Sequence, residues 1–167
     1  MLAVSDASPL ILLAKIGRLD LLKGLYSGIL IPQQVEKEII KRKDESSPIT
    51  LEIKKGWIKV EKVELSPEVK EIGEELGLHK GEVYALSLAL HTKTKDFLAD
   101  DKLARIAARI MGLKAVGCLG IITKAYKNKK ILKHEALECV QKLVDSGLWV
   151  SPDVLSEIFS SLNSSLE

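Results

Sequence analysis

Five short strand-like runs alternate with helix patterns along this chain, and that alternation restricts it to one class of architecture. The runs are Leu2–Ser5, residues 28–31, 57–63 and 97–99, and Lys114–Val116. Helix signals separate them. Ser8-Pro9 reads as an N-cap followed by proline at the first helical position, opening a helix through Ile16 that Gly17 stops. A second short helix is expected over 18–25. Pro32 opens a helix to about Lys43, and 44–48 reads as a polar connection. Ser66-Pro67 starts another helix that Gly77 ends. Helices are also expected over 81–91, 102–111, 119–126, 133–146 and 152–162, with 148–150 extended and 163–167 a polar, frayed tail. The run 57–63 alternates in the manner of an edge strand. Strands alternating with helices predict an α/β fold, a three-layer α/β/α sandwich around a central, mostly parallel sheet with right-handed crossovers.

A chain of 167 residues suits one domain, with a core over about 2–150 followed by the C-terminal helix and tail, 152–167. Hydrophobic residues at 46% and charged residues at 29% exclude a disordered chain. No apolar run approaches roughly 18 residues without a charge, so no membrane span is expected. Asp6 and Pro9 interrupt the first apolar stretch, which has no basic segment before it, so no signal peptide is expected and the cytoplasm is the expected location. Cys118 and Cys139 lack CxxC spacing, and with three histidines a Cys/His zinc site is disfavoured. Any metal would be held by carboxylates, which select hard cations such as Mg²⁺ or Mn²⁺.

In an open parallel sheet, chemistry collects at the carboxyl ends of the strands, near a reversal of strand order. Asp6 follows the first strand directly, and Asp100 follows 97–99 in the same way. Both would enter one crevice if their strands are neighbours. Each also suits a plain turn or cap, and Asp101 in particular is placed to cap the next helix. Glu82 shares a helix face with Ala85, Leu86 and Ala89. An ionised carboxylate on an apolar face costs several kcal/mol unless it is paired or coordinated; the alternative is an exposed first-turn position favoured by the helix dipole. Glu38 lies on one flank of the Val35, Ile39 and Ile40 stripe and Glu36 falls within the arc between Ile39 and Ile40; helical geometry does not choose between them. Clustered carboxylates repel and raise one another's pKa, a penalty that a divalent cation removes. Such a cation also activates water and stabilises charge on a phosphoryl oxygen, the logic of metal-dependent phosphodiester cleavage. No Ser/His/Asp or Cys/His set competes, and His79, His91 and His134 have no triad-like context. Neither GxxxxGK[ST] nor GxGxxG is present.

The formal charge is only +2, but the cations are clustered. Lys41, Arg42 and Lys43 form one group; Lys124, Lys127, Lys129, Lys130 and Lys133 form another. They read either as solvated helix ends or as contacts to a phosphate backbone. Seven aromatic residues in all argue against a stacking platform for single strands.

Four motifs in order resemble the PIN-domain family of metal-dependent nucleases, most closely a prokaryotic branch of small stand-alone proteins similar to VapC toxins. Val4-Ser5-Asp6-Ala7-Ser8-Pro9-Leu10 is similar to the first motif, a strand ending in Asp with Ser two residues on. Ile31-Pro32-Gln33-Gln34-Val35-Glu36-Lys37-Glu38-Ile39 resembles the second, which favours Glu38 over Glu36. Leu78-His79-Lys80-Gly81-Glu82-Val83-Tyr84-Ala85-Leu86 resembles a helix start that places Glu82 where many relatives have Asp. Phe97-Leu98-Ala99-Asp100-Asp101-Lys102-Leu103-Ala104-Arg105 resembles the last acidic motif. Gly117-Cys118-Leu119-Gly120-Ile121 resembles a glycine-bearing turn in which Thr or Ser usually stands at the Cys118 position.

The resemblance spans roughly residues 2–150. It implies a PIN-like α/β/α sandwich and an endoribonuclease, with the toxin of a toxin–antitoxin pair as one role. It implies Mg²⁺ or Mn²⁺ as cofactor, and as partners an RNA substrate, a small antitoxin protein and a second copy in a homodimer. Asp6, Glu82 and Asp100 would bind the cation, with Asp101 helping, and Glu38 would complete the acidic site. Ser8 and Arg105 would orient water or phosphate. Lys41, Arg42, Lys43, Lys127 and Lys130 would contact the nucleic-acid backbone. The competing expectation is a PIN-like RNA- or protein-binding module with a weak or inactive acidic site. A phosphatase on a similar sheet is disfavoured, because Asp6 is followed by Ala7-Ser8 where that class has a second Asp two residues on.

Overall fold

In the computed structural model, which describes residues 1–44 and 46–164, the strand-like runs become β1 (Leu2–Ser5), β2 (Gly28–Pro32), β3 (Ile58–Glu61), β4 (Asp96–Leu98) and β5 (Lys114–Val116). They pair in parallel in the order β3-β2-β1-β4-β5. β2 is buried at every position and β1 at all but its first, as strands covered on both faces require. The alternating run is indeed the edge strand β3, half exposed.

Helices α1 (Ala7–Lys15) and α2 (Asp20–Leu25) link β1 to β2, and α3 (Gln33–Ile40) and α4 (Ser46–Lys54) link β2 to β3. The chain then crosses back through α5 (Pro67–Leu76) and α6 (Lys80–His91) to β4, and through α7 (Lys102–Ile110) to β5. Three further helices follow: α8 (Cys118–Lys127), α9 (Lys133–Asp145) and α10 (Pro152–Ser164). Right-handed crossovers running in opposite directions put their helices on opposite faces of the sheet. Accordingly α6 packs on β1, β2 and β4 with α5 beside it, while α1 lies between α4 and α8 on the other side. One core extends from Ala3 to Leu162, with Leu10, Leu86, Phe97 and Leu98 fully buried. No helix among the described residues is long and apolar enough to cross a membrane.

Three local expectations are corrected. Ser8 is not the cap of α1: the cap position belongs to Asp6, and Pro9 lies in the first turn, where a missing N–H is harmless. The polar connection over 44–48 gives way to α4 from Ser46, with Pro48 again in a first turn. Tertiary contact decides this helix, through buried Ile49 and through Glu52, which reaches Lys23 Nζ at 2.6 Å. Residues 148–150, expected to be extended, lie outside both helix and sheet. Of the tail, Asn163 and Ser164 continue α10, and 165–167 lie outside the described residues, as does Glu45.

Candidate functional site

Strand pairing brings the first two carboxylates together. β1 and β4 are neighbours, with Ser5 in register with Leu98, and the Asp6 N–H donates to the Leu98 carbonyl at 2.9 Å. Asp6 and Asp100 therefore leave adjacent strands at the carboxyl edge, where the strand order reverses. Asp6 is only 5% exposed. Burial, and the negative charges of Glu82, Glu38 and Asp100, push its pKa up to about 7, while the Ala7 N–H pulls the other way.

Glu82 sits in the first turn of α6 and is buried. Its Oε2 accepts from the His79 N–H at 2.9 Å. Burial raises its pKa, with Asp101 and Glu38 adding repulsion and His79 relieving part of it. Glu38 reaches in from α3 across Gly81; a Cβ at that glycine would overlap the Glu38 carboxylate. Glu38 lines the cleft described below and Glu36 does not, so tertiary packing makes the choice that helical geometry left open.

Asp100 is held by three donors. Its Oδ1 accepts from the Cys118 N–H at 2.7 Å, and its Oδ2 from Cys118 Sγ at 3.2 Å and Ser8 Oγ at 3.3 Å. Burial and the Asp100 charge push the Cys118 thiol well above its ordinary range, so it stays protonated and donates. Asp101 is exposed and caps α7, accepting from the Ala104 N–H at 3.0 Å. Arg105 donates to the backbone carbonyl of Asp100 rather than to a carboxylate. Among the described residues none of Asp6, Glu38, Glu82 and Asp100 forms a salt bridge.

Three of these acids, Asp6, Glu38 and Glu82, face a cleft of about 530 Å³, whose lining does not include Asp100. Asp6, Glu38 and Glu82 line it together with Ser8, His79, Lys15, Lys41 and Arg42, and the α9–α10 connection supplies Ser146, Gly147, Leu148 and Trp149. Lys43 is exposed but lies outside this lining. The second basic cluster is elsewhere. α8 begins beside the Asp100 carboxylate and runs back to the opposite edge, where Lys130 packs on Gly24 just ahead of β2. Lys124 there is paired with Asp96, the first residue of β4, at 3.4 Å and lies 5.0 Å from the Tyr26 ring centre. Lys127 and Lys130 do not line the cleft that Lys41 and Arg42 share with the acids. Sequence reasoning missed Lys15, His79 and Trp149; only the backbone neighbourhood of Glu82 pointed to His79.

The donor set suits a hard divalent cation: carboxylate oxygens, crowded and without a cationic partner. As placed, however, no three His, Cys, Asp or Glu side chains among the described residues are grouped to hold one ion. The charge balance fits the ion, and the side chains would have to draw inward around it.

No protein of curated function matches this chain. It is similar in structure to PAE2754 from Pyrobaculum aerophilum, with 18% identity over 69% of this chain and 92% of that one and a TM-score of 0.46. A family model described as PIN domain matches residues 2–164, which takes in all five strands and every acid of the cleft. The chain belongs to the PIN-domain family.

Proposed function

We propose that this protein is a metal-dependent endoribonuclease. The observation that carries the reading is the set of carboxylates without a cationic partner at the strand-order reversal, one of them with its pKa pushed up to about 7 by burial and by its neighbours. A sequence keeps a destabilising cluster of this kind where something absent from the bare chain neutralises it. Asp6, Glu82 and Asp100 would hold Mg²⁺ or Mn²⁺, with Glu38 completing the acidic wall. When bound, the cation supplies a water of lowered pKa and charge stabilisation at the phosphoryl oxygens.

The remaining work falls to the chain. The Cys118 N–H and thiol and the Ser8 hydroxyl fix the Asp100 carboxylate, and the His79 N–H fixes that of Glu82. Lys41 and Arg42, on the cleft wall, would draw in phosphates. The roles of toxin, homodimer and antitoxin target belong to the same proposal, and co-expression with any short neighbouring reading frame tests them. Purified protein should cleave single-stranded RNA with Mn²⁺ stimulation, and Asp6→Asn should remove the cleavage. Equal products from parent and variant would sink the reading.

One observation favours a second reading. Both Asp100 oxygens already have donors, and the acids are not gathered around one position. That suits an RNA-binding module with an idle acidic site. Calorimetric Mn²⁺ titration separates the two: uptake lost on Glu82→Gln supports the enzyme, and no uptake supports the module.

A further inference from the structure

We infer that Trp149 is a stacking platform for an unpaired base of a single-stranded RNA, at the rim of the acidic cleft. This rests on the nuclease reading for the nature of the ligand. Trp149 is 83% exposed, the most exposed large hydrophobic side chain among the described residues. Its position is fixed by the backbone rather than by packing of its own ring. α9 ends at Asp145, Gly147 turns the chain at φ +102°, and the Leu148 N–H closes onto the Leu143 carbonyl at 3.0 Å. Lys15 Nζ ties the Ser146 carbonyl to α1 at 3.4 Å. Leu148 then packs on the core while its neighbour Trp149 is left in water.

The surroundings name the occupant. The cleft that Trp149 lines has three chemistries: carboxylates at Asp6 and Glu82, cations at Lys41 and Arg42, and an apolar wall at Ile11 and Leu12. A nucleotide matches all three, with its base on indole and aliphatic carbon and its phosphates on the cations. Every base presents a π-face, so such a platform binds many sequences, but only where the base is unpaired. A duplex keeps its bases stacked on one another and offers the indole none. The scarcity of aromatic residues in the chain argued against a stacking platform for single strands; the structure nevertheless sets one exposed indole in the lining of the cleft, enough to seat one base beside the acids.

Trp149 fluorescence tests this. In a Trp57→Phe, Asp6→Asn background with Mg²⁺, Trp149 is the sole reporter and the strand stays whole. A short single-stranded RNA should quench it, and the same strand annealed to its complement should not. In that background, fluorescence-anisotropy titration of labelled RNA should show Trp149→Ala weakening binding roughly 5- to 150-fold, the span of one base–aromatic stack, with Trp149→Phe retaining most of the affinity. Equal affinity of the alanine variant, no quenching by the single strand, or equal quenching by duplex would overturn the inference. So would an emission shift driven by protein concentration alone, which would mean that a second copy covers the indole. Quenching by a strand that the parent protein never cleaves with Mn²⁺ would leave this inference standing and remove the nuclease reading. Cleavage kinetics unchanged by Trp149→Ala would do the reverse.

Discussion

At neutral pH the Asp6 carboxyl is caught between two demands. In an unfolded chain it loses its proton near its ordinary 3.8; in the fold it holds it to about 7. Across that window the native state binds more protons than the unfolded state, so the stability of the metal-free protein falls as pH rises. Asp6→Asn removes the titrating group. The variant should therefore be more stable than the parent by a few kcal/mol above pH ~7, with the advantage shrinking to nothing toward pH ~4. Urea denaturation in EDTA at several pH values measures the difference, and a gap that does not change with pH would refute the assignment. Glu82, whose pKa burial also raises, sits under the same logic with its own compensation. Glu82 keeps one backbone donor, and Asp100 keeps three partners. The residue types were readable in the sequence; the partners were not, since Cys118 follows Asp100 by 18 positions and Ser8 precedes it by 92.

The helices gather these charges by a shared device. Asp6 heads α1, Glu82 lies in the first turn of α6, Asp101 caps α7, and Asp100 meets the first N–H of α8. Helices antiparallel to a parallel sheet begin at its carboxyl edge, so their positive ends converge there and ease the crowding of negative charge. Gly81, in the first turn of α6, makes room for the Glu38 side chain from α3. Gly81→Ala should leave stability equal or slightly raised, because only the flexible end of Glu38 has to move and alanine favours helix. Cleavage should fall by roughly 10- to 100-fold, the scale of a displaced group. Thermal melts beside cleavage rates check this; a large loss of stability would show that Gly81 serves packing instead. Helix ends marked by Gly77 and Gly112 were legible because a left-handed φ needs glycine. The start of α1 was not, because Asp6 and Ser8 are both good caps and only the pairing of Asp6 with β4 decides which takes that position.

Across the whole molecule the sheet order separates two basic surfaces. Lys41 and Arg42 share the cleft with the acids, while Lys127 and Lys130 lie at the far edge beside α2. If Lys41 and Arg42 bind backbone phosphates, replacing both by alanine should weaken single-strand binding and reduce the slope of log K against log salt by about 0.7 for each phosphate no longer neutralised. The Lys127→Ala, Lys130→Ala double variant should leave that slope unchanged. Binding isotherms at several salt concentrations measure both, and matching slopes for the two double variants would refute the separation.

By itself, the sequence determined that the chain forms a parallel α/β sheet and which acids follow its strands. Local pattern suffices for this, because alternation, proline and glycine act within a few residues. Only the tertiary structure decided that β1 lies beside β4, that Glu38, which the motif resemblance had favoured, enters the cleft while Glu36 does not, and that one basic cluster lies outside it. It also set Trp149 at the rim. Each of these depends on residues far apart in the chain, and their distances are fixed only when the sheet order and the shared core are complete.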